Sequence, residues 1–468
     1  MMKKQKFLLF MVAFIVIQPV IDILTTATLL WTDLSVSIGI VLRTLYFLLM
    51  AIFILYMAFH SKQAKWYLAY LVGLLVLLVV NVYLNMQVKN PYYLIQELTF
   101  FNKAIYFHLM FFGFLLIVEQ LKKNGTDVKK QLIRMFLTSS LIISAVFIIS
   151  QLTNTSMQNY ARSKEGWTGW FYAGNEIGAI MSILLPITML YAVQKTNKWS
   201  DIKYWTPFVA LSISMLALGT KVGYGGIIVV LLSTLIGSLA LWVWKKQLTF
   251  KMNSILSALF LTVLIAVTPF TPVFNNMYAH LSILGIDFSD EEDPELGQGE
   301  EPGEEVVLDE EPTINREQFQ NLVFSSREEY AQNYEVQFAV APTSQRLLGM
   351  GFAGNYDEPT KEEPIKIIEM DFHDFFYSFG ILGFLYVIAP LIYFAGKYLI
   401  DFVINLKTRF NYFTIFTGIS FLLGIGISYT AGHVLTAPSV SIYLAALLAV
   451  LVVTANGENS LQNNKALK

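Results

Sequence analysis

Residues 369–396 read EMDFHDFFYSFGILGFLYVIAPLIYFAG, a stretch that changes from charged to almost wholly apolar within a few positions. The apolar part is long enough to cross a bilayer, because a membrane-spanning helix needs about 20 mostly apolar residues. The charged part closes a long polar interval that begins near Pro272. This junction therefore predicts a long loop that leads directly into a membrane-spanning helix.

The rest of the chain has the same apolar character. Of its 468 residues, 55% are hydrophobic and 14% are charged, and the mean hydropathy is +0.55. This composition excludes an ordinary water-soluble protein and predicts an all-α, polytopic membrane protein with about twelve transmembrane helices. We place the spans near 6–26, 36–58, 66–86, 97–119, 132–152, 172–193, 205–220, 222–243, 253–271, 376–396, 411–430 and 434–455.

The spans fall into two groups, nine within 1–271 and three within 376–456, with the long loop at 272–375 between them and a tail at 457–468. Most of the 32 lysines and arginines lie in the loops on the side of the N-terminus. Because cytoplasmic loops are enriched in Lys and Arg, we expect both termini in the cytoplasm and the long loop outside the cell. The first span lacks a cleavage site and is predicted to be retained.

The long loop contains three distinct parts. Asp287–Glu311 is rich in acidic residues and has no basic ones, so we predict a disordered spacer. Glu317–Phe338 has helix-like apolar spacing and predicts a short amphipathic helix. Gly349–Gly354 matches a dinucleotide-binding pattern, but that pattern requires a preceding strand. A tight turn that allows close backbone approach explains these glycines better.

Several kinds of site are not expected. The chain has no cysteine, which excludes disulfides and thiolate metal sites. Its five histidines are scattered, and no pair has the spacing of a zinc site. We therefore expect no metal, no cofactor and no nucleic-acid partner, and the bilayer itself is the one partner that composition requires.

Basic residues at three places on the predicted outer side are candidate phosphate ligands. Arg162 lies in a loop rich in tryptophan and glycine, where its planar donor fork would suit a lipid phosphate, although an interfacial anchor loop has the same composition. Lys221 sits in a tight glycine-rich connection, which helix packing also explains. Arg327 and Arg346 lie in the later half of the long loop, where a purely solvated role is the alternative.

A general base is predicted within Glu369–Asp374. If this run is helical, Glu369 and His373 share one face, and Asp371 and Asp374 share the opposite face. Either pair could supply the base. The alternative is that the acidic residues, Asp371 in particular, stabilise the start of the following helix.

Four ionisable residues fall inside predicted spans: Asp22, Arg43, Glu97 and Lys103. Charged groups at membrane depth are costly unless they are paired or face a cavity. Asp22 and Arg43 lie at similar depth in the first two spans. They are predicted to form an ion pair, or else to line a substrate cavity.

The order of short motifs along the chain supplies a resemblance. The motifs are Arg162-x3-Gly166 followed by Asn175, Thr220-Lys221 with glycines, Ser326-Arg327, Leu348-Gly349-x-Gly351, and Gly380-Ile381-Leu382-Gly383. Over about 155–390 this order resembles the O-antigen ligase and polymerase family, which are integral membrane glycosyltransferases of bacterial surface glycans. Two positions depart from the family, because Lys221 stands where many members have arginine and Glu369 stands where ligases have histidine.

The resemblance implies transfer of a glycan from an undecaprenyl-diphosphate donor to a hydroxyl of a glycan or cell-wall acceptor, without a metal. Cations would then stabilise the diphosphate leaving group, and a base would activate the acceptor. The residues implied for the diphosphate are Arg162, Lys221, Arg327 and Arg346, and those implied for the base are Glu369, His373 and Asp371.

Two other functions compete with this one. A flippase for lipid-linked oligosaccharide, or another polysaccharide transporter, should show internal repeats and broken helices, and we find no repeat. A structural assembly partner would tolerate the loss of every polar candidate.

Overall fold

The structure is a computed structural model that describes residues 2–466 except 33, 35, 161–163, 283–326, 357 and 359–364. The predicted acidic spacer Asp287–Glu311 and the candidate Arg162 lie outside the described residues. So do Ser326 and the first part of the predicted amphipathic helix.

The described residues are almost entirely α-helical, with a single pair of short strands. The helices before the long loop are α1 (Met2–Ala13), α2 (Gln18–Trp31), α3 (Ile38–Ala58), α4 (Lys62–Val88), α5 (Leu94–Lys123), α6 (Val128–Leu152), α7 (Gly174–Lys195), α8 (Thr206–Leu218), α9 (Lys221–Lys245) and α10 (Leu248–Val267). The remaining helices are α11 (Pro272–Ser282), α12 (Arg327–Val340), α13 (Thr343–Leu348), α14 (Asp371–Ile404), α15 (Leu406–Arg409), α16 (Tyr412–Thr430) and α17 (Pro438–Ala466). Strands β1 (Met157–Gln158) and β2 (Trp167–Gly169) form an antiparallel pair.

The fold class predicted from hydropathy is confirmed. Among the described residues, 10 helices are long and apolar enough to cross a membrane, and α1 with α2, bent by 47°, makes up to 11. The segment predicted at 205–220 is the exception. It forms α8, which has 13 residues and is about 20 Å long, shorter than the ~30 Å hydrocarbon core.

Helix α8 nevertheless runs alongside α7 for most of its length. Leu218, at the end of α8, lies 3.1 Å from the position of a Cβ on Gly178, near the start of α7. Trp205, just before α8, donates from Nε1 to Oγ1 of Thr196, just after the end of α7, over 3.0 Å. Helix α8 and the 3-10 helix Trp199–Trp205 that precedes it therefore connect the two ends of the bundle.

Helices α5, α7 and α17 are the most buried spans and form the centre of the bundle. Helices α3 and α4 are the least buried spans, as expected of lipid-facing helices at the periphery. We call the end of the bundle that carries Gly174, Gly219 and Asp371 the loop end, because the described part of the long loop packs there.

The long loop returns to the bundle through two closely apposed backbones. Helix α14 is interrupted at Gly380, which has φ 64° and ψ −175°. Gly349, with φ 97°, crosses at this break, and a Cβ on it would lie 2.0 Å from the carbonyl oxygen of Ser378. Met350 and Gly351 donate their backbone N–H groups to the carbonyls of Tyr377 and Ser378, over 2.9 and 3.0 Å. The predicted close backbone approach of the glycine motif is therefore present, and its partner is the broken helix.

Buried polar side chains of α4 hold the same segment from the other side. Asn81 donates from Nδ2 to the carbonyl of Ser378 over 2.9 Å. Asn85 donates to the carbonyl of Gly349 over 3.1 Å, and its own side-chain oxygen accepts from Gln345 over 2.9 Å. Both asparagines are completely buried. Buried amides are stable only when paired, so α4 and the returning loop form one unit.

Helix α12 packs one face on α14, as its predicted amphipathic spacing requires. Tyr334 is buried, and its ring lies 5.6 Å from that of Tyr377. One turn later, Phe338 lies 5.3 Å from Phe376. The remaining positions of α12 are largely exposed, so this helix lies on the loop end with Arg327 at its beginning.

Replacing Gly349 with alanine should lower the free energy of unfolding by at least about 2 kcal/mol, because the new Cβ clashes with backbone and the left-handed φ strains an L residue. The measurement is thermal unfolding of the purified protein in detergent. Gly396→Ala in α14 is the matched control, since nothing lies within 4 Å of its Cβ, and it should leave the midpoint unchanged or raise it. Equal midpoints for the two variants would contradict the crossing at Gly380.

Candidate active site

Three ionisable side chains from separate parts of the chain meet at the loop end. Glu369 Oε2 lies 3.4 Å from Arg327 Nη2 and 3.8 Å from His433 Nε2. Arg327 begins α12, Glu369 precedes α14, and His433 lies between α16 and α17. The three side chains are 16%, 30% and 26% exposed, respectively, so a ligand can reach them. We call them the Arg327–Glu369–His433 cluster.

The backbone at the cluster is strained. Glu369 and His433 have φ values of 64° and 57°, which are uncommon for residues other than glycine. A Cβ on the neighbouring Gly432 would lie 2.5 Å from the carbonyl oxygen of Glu369. The segments that carry Glu369 and Gly432 are thus in close backbone contact, at a point where only glycine, which has no Cβ, fits. Such strained residues concentrate at functional sites, each at a cost of about 1–3 kcal/mol.

Asp371, predicted as a possible base, anchors the segment that carries His433. Its buried carboxylate accepts hydrogen bonds from the backbone N–H groups of Val434 and Leu435, at 2.9 and 2.8 Å. It also accepts from the hydroxyls of Ser428 and Thr436, at 2.9 and 2.6 Å. With four donors on its two oxygens, Asp371 is better suited to positioning His433 than to accepting a proton.

Glu369 lies outside helix α14, so its predicted position on one helical face with His373 is wrong. The helix begins at Asp371, and Asp374 folds the preceding segment back by accepting from the N–H groups of Ile368 and Met370, at 2.9 and 3.1 Å.

His373 instead points towards α16. Its ring lies 5.8 Å from that of Tyr429, and its Nδ1 has no hydrogen-bond partner among the described residues. The structure therefore brings Glu369, and not His373, to Arg327.

The electrostatics of the cluster favour its charged form. The neighbouring His433, followed by the charge of Arg327, holds the pKa of Glu369 below its usual value although burial opposes this. Burial disfavours the imidazolium of His433, but the Glu369 carboxylate, assisted by Asp371 and Glu176, raises the pKa of His433. The arrangement therefore favours the ionised form of Glu369 and the protonated form of His433.

The predicted Lys221 region lines the same part of the loop end. A cleft of about 40 Å³ lies between Asn175 at the start of α7, Thr220 and Val222 at the start of α9, and Gly432. Thr220 caps α9 by accepting from the N–H of Gly223 over 3.1 Å, which fixes the turn that carries Lys221. Because Gly432 contacts Glu369, this cleft adjoins the cluster.

The loop predicted to carry the Arg162 site is tied to that turn. Asn276 of α11 donates from Nδ2 to the carbonyls of Glu165 and Gly219, over 2.6 and 2.9 Å. Asn159 donates to the carbonyl of Leu218 over 3.0 Å. The loop between β1 and β2 is thereby held against the start of α9, although Arg162 itself is outside the described residues.

Arg346 is not part of this arrangement in the described residues. It is exposed at the end of α13, and its Nη2 lies 3.4 Å from Oγ1 of Thr343. Its predicted role at the diphosphate stays a prediction.

Sequence reasoning did not identify His433, which it treated as one of five scattered histidines. The usable signal was the dipeptide Gly432-His433 in the short connection between the last two spans, on the same predicted side as the long loop. Glu176, in the first turn of α7, accepts a hydrogen bond from the Ser439 hydroxyl, and so links α7 to α17 beside the cluster.

The pair Asp22 and Arg43 was predicted correctly. Arg43 donates from Nη2 to Asp22 and from Nε to Gln18 Oε1, the latter over 3.0 Å. Both residues also line a cavity, and a substrate in that cavity stays a prediction. Glu97 pairs with Lys89, and Lys103 lines the same cavity as Arg43.

We expect the charge on His433 to stabilise the fold in a pH-dependent way. Because the pKa of His433 is higher in the folded than in the unfolded protein, the pair contributes its full stability below the unfolded-state pKa of about 6.5. This stability is lost as the pH rises through the folded-state pKa. The lowered pKa of Glu369 keeps the carboxylate charged down to below about pH 4.5. The unfolding midpoint of the wild type should therefore exceed that of His433→Asn most between about pH 5 and 6.5.

Thermal unfolding in detergent across pH 5 to 9 measures this difference, and asparagine is chosen because it tolerates a left-handed backbone. In a Glu369→Gln background this pH dependence should be lost or reversed, because burial by itself lowers the pKa of His433. A midpoint difference that grows with rising pH would contradict the pairing.

The described residues contain no group of three or more His, Cys, Asp or Glu side chains that could hold a metal ion. A family model described as "O-antigen ligase like membrane protein" matches residues 4–458. No curated protein matches the chain. Because the family match covers nearly the whole chain, including every element of the cluster, the chain belongs to the family of O-antigen ligase like membrane proteins and is a multi-pass membrane protein of glycan ligation or polymerisation.

Proposed function

We propose that the protein is a membrane glycosyltransferase that ligates or polymerises glycan carried on undecaprenyl diphosphate. The observation that carries the proposal is the Arg327–Glu369–His433 cluster, in which a carboxylate meets two basic side chains at an accessible end of the membrane bundle. This combination suits a reaction that needs both a proton acceptor and stabilisation of an anionic leaving group.

The leaving group is a lipid diphosphate, whose charge increases as the bond to the sugar breaks. Arg327 can offer its planar donor fork to the phosphate oxygens. Lys221 adds a point charge from the adjoining turn, and Arg162 belongs to the loop tied to that turn. These three cations, from separate parts of the chain, are our proposed diphosphate ligands.

Glu369 is the proposed base. Its carboxylate takes the proton of the acceptor hydroxyl, and the acceptor oxygen bonds to the anomeric carbon of the donor sugar. The bond between that carbon and the phosphate oxygen breaks, and its electron pair leaves on the diphosphate. His433 and Asp371 act through Glu369, since His433 lies beside the carboxylate and Asp371 holds the His433 segment.

Donor binding would itself increase the basicity of Glu369. In the empty site Arg327 contributes to the lowered pKa of Glu369. A diphosphate that engages Arg327 shares that positive charge, so the pKa of Glu369 rises towards the range of an effective base. Activation of the acceptor is thereby coupled to the presence of the donor.

The predicted orientation supports a reaction at the outer face. Most basic loop residues lie on the side of the N-terminus, which supports an exterior position for the loop end. The cluster also lies beside the start of the membrane-length helix α14, and the start of a span is where a lipid headgroup is expected.

A transporter is the second candidate, and the break in α14 is the observation that favours it, because broken helices often line transport pathways. In this chain the break is filled by the backbone of Gly349. The break therefore has a packing role that does not require a transport pathway.

Glu369→Gln and Arg327→Ala should each lower glycan transfer about 100-fold or more, because each removes a group that acts on the reacting atoms. The readout is the length and attachment of surface glycan in producing cells, at matched levels of membrane protein. Arg134→Ala is the control, since Arg134 is an exposed arginine on α6 away from the cluster. Wild-type glycan in both site variants would overturn these roles.

Deleting the protein should cause its donor to accumulate as lipid-linked glycan. Single repeat units on the lipid would identify a polymerase, and finished chains would identify a ligase. The measurement is mass spectrometry of the extracted lipid-linked glycan. Unchanged levels of both species would contradict the proposed reaction.

A further inference from the structure

A second cavity lies at the loop end, between α2, α3, α5, α7 and the start of α17. Its volume is about 380 Å³, within the range of about 300–1,000 Å³ that small-molecule sites occupy. The Arg327–Glu369–His433 cluster does not line it. The diphosphate and the base therefore leave this cavity without an assigned ligand.

One wall of the cavity contains a buried hydroxyl that lacks a hydrogen-bond partner. Tyr106 lines the cavity and is only 2% exposed, and its Oη has no partner among the described residues. Tyr46, which is buried to a similar degree, donates from its hydroxyl to the carbonyl of Met11 over 2.7 Å. Buried polar groups are nearly always paired, so the Tyr106 hydroxyl is available to a ligand atom that donates or accepts a hydrogen bond.

Further polar groups line the cavity, and two of them lie about one turn before Tyr106 on the same helix, α5. Asn102 and Lys103 are exposed on α5, and neither side chain has a hydrogen-bond or ionic partner within the described part of the chain. Tyr172 is 62% exposed at the start of α7 and presents an aromatic ring. Amide and hydroxyl groups around an aromatic ring match a ligand that has several hydroxyl groups and an apolar face.

The charges of the wall argue against an anionic ligand. Asp22 and Arg43 form an ion pair, and the carboxylate of Glu176 accepts from Ser439. With Lys103 included, the ionisable side chains that line the cavity carry equal numbers of formal positive and negative charges. A phosphate or diphosphate would therefore meet no net positive charge here, whereas an uncharged sugar needs none.

Glu176 places the cavity next to the base. It lines the cavity, and its charge also acts on His433. Ser439, which bonds to Glu176, lies in the first turn of α17, a few residues after His433. A sugar bound in the cavity would thus have one end near the Glu369–His433 pair.

We infer that this cavity is the acceptor subsite and that it binds one or two uncharged sugar residues at the growing or receiving end of the acceptor glycan. The inference rests on the proposed glycosyl transfer. It assigns the donor diphosphate and the acceptor saccharide to different sides of Glu369.

Binding can be measured without turnover. The probe is the oligosaccharide that mild acid releases from the producing cell's own surface polysaccharide, titrated calorimetrically into the purified full chain in detergent. Tyr106→Phe removes only the hydroxyl and should weaken binding about 3- to 10-fold. Asn102→Ala and Tyr172→Ala should weaken binding by about 10-fold.

Tyr83→Ala is the matched control for Tyr172→Ala. Tyr83 is also 62% exposed but lies on α4 outside the cavity, so this variant should bind the oligosaccharide normally.

Thermal unfolding of the empty protein supplies the second readout. Tyr106→Phe should leave the midpoint unchanged or raise it, because it removes an unpaired hydroxyl, whereas Tyr46→Phe should lower it. A midpoint for Tyr106→Phe as low as that for Tyr46→Phe would overturn the inference by showing that the hydroxyl is already satisfied within the empty protein.

Two further outcomes would overturn the acceptor subsite. One is wild-type affinity in Tyr106→Phe, Asn102→Ala and Tyr172→Ala. The other is competition by inorganic diphosphate that disappears in Lys103→Ala, which would identify an anion site.

Arg327→Ala separates this inference from the proposed function, because this variant should bind the oligosaccharide normally while losing glycan transfer. Normal transfer in Arg327→Ala would count against the proposed function and leave the binding result intact.

Discussion

The fold of the loop end depends on one buried ion pair, Lys89 with Glu97. Their side chains are 1% and 0% exposed, and the charged atoms are 2.7 Å apart. Lys89 also donates to the carbonyl of Phe352 over 2.8 Å, and Glu97 accepts from the N–H of Phe352 over 2.6 Å. A buried pair is tolerated only when further hydrogen bonds satisfy it, so the ion pair and the returning loop require each other. This clamp fixes Gly349 in the break of α14, and α14 in turn begins beside Glu369.

Hydropathy was sufficient to predict the fold class, since every predicted span is helical in the structure, the first as the bent pair α1 and α2. The number of membrane-spanning helices was harder to predict, because α8 is apolar enough for a span but, with only 13 residues, is too short to cross the membrane. Asp22 and Arg43 were predictable as a pair because both lie at one depth in neighbouring spans. Lys89 and Glu97 were not, because Lys89 lies outside the spans and its burial arises only when the distant Phe352 segment docks.

At the candidate site, too, the residue types could be predicted from the local sequence, whereas their positions depend on tertiary contacts. The residue types of the predicted base were visible in the sequence, but the helical face assumed for Glu369 was wrong. Contact with Gly432 holds Glu369 in a left-handed conformation before α14 begins, and no local pattern encodes that contact. His433 escaped detection for the same reason, because its distance to Glu369 is set by the packing of α16 and α17 and not by sequence spacing.

The central claim is that the loop end breaks the bond between a glycan and its lipid diphosphate. The most direct measurement uses the purified chain in proteoliposomes with lipid-linked glycan and acceptor glycan, and follows free undecaprenyl diphosphate. We predict its release in step with transfer of the glycan to the acceptor. Movement of intact lipid-linked glycan across the bilayer, with no release of the diphosphate lipid, would contradict the account.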